Sequence, residues 1–103
     1  MDLSNNYNED SNTWVVKLSG EVDIYNSSQL KNQIDKLIDQ RSGNITLDCT
    51  NLTYIDSTGL GVLIGILKRV KEYGGKINIR NLKPYIKKIF VITELDKVFS
   101  IEV

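Results

Sequence analysis

Ile45-Thr46-Leu47-Asp48-Cys49 and, shortly after it, Asp56-Ser57-Thr58-Gly59-Leu60-Gly61-Val62-Leu63-Ile64-Gly65-Ile66-Leu67 decide how this chain folds. The first run is short, apolar and β-branched, which marks a buried strand. The second opens on Asp and Ser, both common helix caps. It then carries Leu60, Leu63, Ile64, Leu67 and Val70 at helical spacing. Val62 and Ile66 widen that stripe, so the helix is expected to run buried from Ser57 to about Tyr73. Lys68, Arg69 and Lys71 in its last turns suit the negative end of the helix dipole. Gly74-Gly75 ends it. A strand feeding a buried helix is the repeating unit of an α/β domain.

Working outward, Thr13 to Ser19 alternates and reads as a strand. Gly20 punctuates it, and Glu21 to Tyr25 continues extended. Asn26 or Ser27 caps a first helix, whose stripe is Leu30, Ile34, Leu37 and Ile38. Ser42-Gly43-Asn44 stops it. Asn51 to Ile55 reads as a short connection. Downstream, Lys76 to Arg80 alternates around Ile77 and Ile79, a strand. Pro84 suits the first turn of a third helix with Ile86, Ile89 and Phe90 inward. Thr93 is expected to cap a last turn through Leu95 and Val98, and Phe99 to Val103 to form a final strand. Strands alternating with helices predict parallel crossovers.

Composition narrows the function. At 103 residues the chain fits one domain, large enough to bury a core without staples. Thirteen basic and thirteen acidic residues cancel, leaving no broad electrostatic footprint for nucleic acid. Lys87-Lys88 reads as a solvated face. There is no histidine, which removes the commonest general base and metal ligand. Cys49 stands alone, so no internal disulfide or thiolate metal site is expected, and its apolar run reads as core. The polar stretch from Met1 to Asp10 lacks the features of a signal peptide. No apolar run reaches the ~20 residues of a membrane span. A cytoplasmic protein without cofactor or metal is the expectation.

Ser57 carries the sharpest chemical question. A helix N-terminus has unpaired N–H groups and partial positive charge, so it suits an anion. A serine there is either a phosphate acceptor or part of a plain cap, and the cap is the commoner case. A nucleophilic serine fits poorly, because Gly-x-Ser-x-Gly is absent and no histidine exists to activate the hydroxyl. Gly59 and Gly61 remove side chains nearby, and each interior glycine costs about 0.5–1 kcal/mol relative to alanine, which points to packing or contact. Asp23 closes the segment before the first helix. If the strands before helices one and two are parallel, Asp23, Asp56 and Ser57 meet at one sheet edge. Asp23 as a turn residue or a solvated charge is an equal alternative.

Gly20-Glu21-Val22-Asp23 before a helix, then Tyr54-Ile55-Asp56-Ser57-Thr58-Gly59-Leu60-Gly61-Val62, resembles a STAS domain. More narrowly, it is similar to bacterial anti-sigma factor antagonists of the general-stress and sporulation type. The likeness continues through Lys71-Glu72-Tyr73-Gly74-Gly75, Ile89-Phe90 and Ile92-Thr93, and spans residues 13–103. It departs at Glu94, where many relatives carry glycine. The resemblance implies a single α/β domain over 13–103, a mixed sheet of four to five strands with helices mainly on one side. Residues 1–12 are left as a polar segment, with an irregular edge strand as its ordered form. It implies a non-enzymatic regulator that binds an anti-sigma factor with serine kinase activity and so frees a sigma factor. The kinase would phosphorylate Ser57 and inactivate the protein; Thr58 is the fallback acceptor, and its first role would be in the helix's first turn or in partner contact. A metal-dependent serine/threonine phosphatase would restore it. Asp23, Asp56, Thr58, Gly59, Leu60 and Gly61 would serve the partner. The rival implication is a STAS scaffold subunit of a lipid or solute transport complex, where the acceptor motif is often degraded; here it is intact. An acyl- or phosphoryl-transfer enzyme ranks last.

Overall fold

In the computed structural model, which describes residues 1–102, the predicted strand at Ile45–Cys49 is the first half of a longer one. It is β3 (Asn44–Ile55), the centre of a five-stranded sheet. In chain order the elements are β1 (Asp2–Asn8), β2 (Thr13–Val22), α1 (Ser27–Gln40), β3, α2 (Ser57–Glu72), β4 (Ile77–Arg80), α3 (Pro84–Ile92) and β5 (Ser100–Ile101). A 3-10 turn, Leu95–Lys97, precedes β5. The strands lie in sequence order. β1 pairs antiparallel with β2, and every other pair is parallel. Parallel crossovers are right-handed, and when strand order follows chain order that rule puts all three helices on one face. This is the mixed sheet with one-sided helices that the resemblance implied.

Burial follows from that layering. On β2, Trp14, Val16 and Leu18 face the helices and are buried, while Lys17 between them is exposed. The stripe predicted for α1 is buried, Leu30, Ile34, Leu37 and Ile38, and so is that of α2 at Leu60, Leu63, Leu67 and Val70, while Ile64 is only partly buried and Ile66 takes its place in the core. The two helices are tied together by Arg69, which donates to Asp35 (3.0 Å) and to Asp39. The face without helices is polar. Lys17, Asp48 and Arg80 sit opposite one another on β2, β3 and β4, and Arg80 Nε reaches Glu102 Oε2 at 2.9 Å beyond β5. Charges of alternating sign thus run across the open face.

Four expectations change. Asn51–Ile55 is not a connection but the second half of β3, and β2 runs unbroken through Gly20 to Val22 before the chain turns. The register against β2 shifts twice, between Lys17 and Ser19 and between Gly20 and Glu21. Each shift adds a residue on β3, so its buried apolar positions fall at Ile45, Leu47, Cys49, Leu52 and Ile55. Two bulges turn a period of two into a period of three, which hid the strand. Glu21–Tyr25 is extended only as far as Val22; Asp23 begins a turn. Thr93 does not cap the last turn: its hydroxyl donates back to Ile89 O (2.7 Å) and Phe90 O (3.3 Å), closing α3. The final strand is confined to Ser100–Ile101, Phe99 being buried ahead of it; Val103, included in that expectation, lies outside the described residues. The N-terminal residues Asp2–Asn8 pair with β2 in continuous register.

Glu94 adopts a left-handed conformation, φ +60°. An L-residue there carries roughly 1–2 kcal/mol of strain that glycine avoids, partly offset by glycine's freedom in the unfolded chain. The exposed Glu94–Lys97 pair contributes little. Glu94→Gly is therefore expected to stabilise the domain by up to about 1 kcal/mol, read as a higher Tm. A lower Tm would show that the turn depends on the glutamate side chain.

Candidate functional site at the start of helix two

The ends of β2 and β3 meet, as parallel pairing requires. Asp56 N donates to Val22 O at 3.2 Å. Here the helix cap is Asp56, not Ser57. One carboxylate oxygen of Asp56 accepts from Thr58 N (3.0 Å), Gly59 N (3.2 Å) and the Thr58 hydroxyl. The Thr58 hydroxyl, with the backbone N–H groups of Gly59, Thr58 and Ile24, holds the Asp56 carboxyl below its ordinary range. It is an anion at neutral pH, and it has already taken two of the donors that a helix start offers.

Ser57 is the first residue of α2, and it is exposed. Asp23 lies at the same sheet edge but its carboxylate turns inward on its own loop. It accepts from Tyr25 N (2.9 Å) and Asn26 N (3.2 Å). Asn26 answers by accepting from Asp23 N (2.9 Å) and donating to Glu21 O (2.8 Å). This reciprocal turn presents Ile24 and Tyr25 to solvent, 66% and 92% exposed. The backbone of Ile24 faces Asp56, so that loop and the start of α2 form one surface. Tyr54, two residues before Asp56, is also half exposed.

Sequence reading missed Ile24, Tyr25 and Tyr54. The signal in the sequence is an apolar pair, Ile24-Tyr25, beside the turn-forming Asp23. Gly59 and Leu60 are buried beneath the site, so they support it from below, while Gly61 is exposed with nothing within 4 Å of where a Cβ would stand.

The two glycines should therefore respond oppositely to alanine. A Cβ on Gly59 would stand 2.7 Å from Ile55 Cγ1 and 2.8 Å from Val22 Cγ1. Both neighbours are buried and short, so neither can swing away. Overpacking costs about 1–3 kcal/mol, against a helix-propensity gain of up to about 1 kcal/mol. Gly59→Ala should lower stability, and Gly61→Ala should raise it by roughly 0.5–1 kcal/mol. Urea denaturation of both variants checks this; equal shifts would contradict the packing beneath Ser57.

Other chemistry is sparse. Burial, and to a lesser degree the Asp48 charge, pushes the Cys49 thiol up to about 12, so it stays a protonated core group. Among the described residues no group of three or more His, Cys, Asp or Glu is placed to hold a metal ion. No described helix is long and apolar enough to cross a membrane.

Comparison with known proteins bears on this geometry. A family model described as STAS domain matches residues 5–103. The anti-sigma-B factor antagonist of Bacillus subtilis (strain 168) is 31% identical over 101 residues, covering 98% of this chain and 92% of that protein. A crystal structure from Thermotoga maritima, assigned as an anti-sigma factor antagonist, superposes with a TM-score of 0.87 at 23% identity, over 96% of this chain and 84% of that one. The Bacillus cell fate determinant SpoIIAA in its phosphorylated form superposes with a TM-score of 0.74 at 22% identity, over 99% and 92% of the two chains. The two solved structures share the fold.

Proposed function

The chain belongs to the STAS domain family, alongside the anti-sigma factor antagonists, and from that premise we propose that it releases a sigma factor by docking on an anti-sigma factor and is switched off at Ser57. The unphosphorylated protein binds an anti-sigma factor that is a serine kinase. The kinase phosphorylates Ser57 and the complex comes apart. A metal-dependent serine/threonine phosphatase removes the phosphate. The protein performs no chemistry of its own in this cycle.

One observation carries the reading: an exposed serine at the first position of α2, beside the loop that exposes Ile24 and Tyr25 and one turn before the exposed Gly61. Exposed apolar side chains grouped around a polar centre suit a partner interface. Gly61 has no internal packing reason to be glycine, which leaves close approach of another molecule as the reason. Asp56 and Thr58 shape the helix start, and Asp23 holds the neighbouring loop.

The test mixes the protein with candidate anti-sigma kinases and ATP. Mass spectrometry should place one phosphate on Ser57 and none on Ser57→Ala. Ser57→Ala should still bind the kinase. Phosphate on Thr58 in the wild type, or recovery of transport subunits in place of an anti-sigma factor, would overturn the reading.

A further inference from the structure

We propose that the cleft at the C-terminal end of α2, the end remote from Ser57, is a binding site for a small amphipathic anion: a carboxylate carried on a short apolar tail. The inference is independent of the role proposed for Ser57. α2 has 16 residues, so the two sites stand about 24 Å apart at 1.5 Å per residue.

The cavity there has a volume of about 420 Å³, inside the ~300–1,000 Å³ range of ligand pockets. Its apolar wall is made by Leu67 from α2, Ile77 from β4 and Val98 ahead of β5. Leu67 and Ile77 belong to the core, while Val98 is 46% exposed. An apolar side chain left half in water beside a cavity is surface that a tail would cover. The polar part of the lining is Lys71, Lys76 and Ser100, and among the described residues no carboxylate lines the cleft. Among the described residues neither lysine makes an ion pair.

A helix C-terminus repels anions through its free carbonyls, and here that objection is weakened. Val70 O accepts from Tyr73 N (3.3 Å) and Gly75 N (3.0 Å), and Lys71 O accepts from Gly74 N (3.1 Å). Gly74, with φ +79°, folds the chain back to make those bonds. The charged residues that line the cavity are then the two lysines. Cationic donors beside an apolar wall recognise a head and a tail together. Inorganic phosphate lacks the tail, and a neutral alcohol lacks the charge.

The probes are sodium octanoate, 1-octanol and inorganic phosphate, each titrated into the ¹⁵N-labelled full chain and followed by amide shifts. Octanoate should give saturable shifts at Lys71, Gly74, Gly75, Lys76 and Ser100, and bind at least tenfold more tightly than either control. The Lys71→Gln/Lys76→Gln double variant should bind octanoate at least tenfold more weakly, since a hydrogen bond to a charged group carries that much. Val98→Glu, a substitution at an exposed position, should do the same with Tm unchanged. Ser57→Ala should bind octanoate as the wild type does. Equal binding of octanol or phosphate, an unaffected double variant, or shifts absent or centred elsewhere would each overturn the proposal.

Discussion

Phosphorylated Ser57, or Ser57→Asp, should bind the anti-sigma factor roughly 30-fold to several thousandfold more weakly than the wild type, with Tm almost unmoved. The phosphate adds about −1.5 to −2 charge. A bare helix start would stabilise it by roughly 0.3–1 kcal/mol. This one cannot do so fully, because Asp56 already occupies Thr58 N and Gly59 N, and Asp56 is itself an anion. At an interface the new charge would be buried without a partner, which costs about 2–5 kcal/mol; at 1.4 kcal/mol per decade that is the stated range. The phosphate is therefore expected to change docking and to leave folding almost untouched. Isothermal titration against the partner, paired with thermal melts, separates the two. A large fall in Tm, or a rearranged backbone in NMR spectra of the phosphorylated form, would contradict this mechanism.

Phe90→Ala should do the reverse. Phe90 is 1% exposed and meets Phe99 edge-on, with ring centroids 6.0 Å apart. Removing a buried Phe side chain costs about 3–5 kcal/mol, a large part of the ~5–15 kcal/mol by which a domain is stable. α3 buries only Ile86 and Phe90, so no neighbour on the helix can make up the loss. At about 4–8 °C per kcal/mol for a domain near this size, Tm should fall by roughly 12–40 °C. Below that temperature the variant should bind the anti-sigma factor with unchanged affinity, since Phe90 itself is buried and adds nothing to the exposed surface around Ser57. A fall of only a few degrees would mean that α3 is docked by something other than this aromatic pair.

The sequence carried the helices most legibly. Their apolar stripes have an uninterrupted period, and α2 begins at the residue where the Asp-Ser pair predicted it. The strands were less legible where the period breaks. β3 changes phase at each bulge, so Leu52 and Ile55 looked like loop residues. The candidate site divided along the same line. That Asp56 and Ser57 open a helix could be read from neighbouring residues. Which of them caps it, and that the Asp23 loop lays Ile24 and Tyr25 beside it, depends on two strands meeting in space. Burial of Gly59 and exposure of Gly61, two positions apart, is likewise a matter of which way the helix faces the sheet.

The row of charges on the uncovered side of the sheet restricts how copies of this domain can associate. A bare sheet invites a second sheet to stack on it, as in β-sandwiches. Stacking here would strip water from Lys17, Asp48, Arg80 and Glu102 on each copy, a penalty of several kcal/mol per ion unless every charge found an opposite. Two identical faces would have to align sign against sign along the whole row to avoid it. The flat side is therefore expected to stay wet, and two copies are not expected to pair through it.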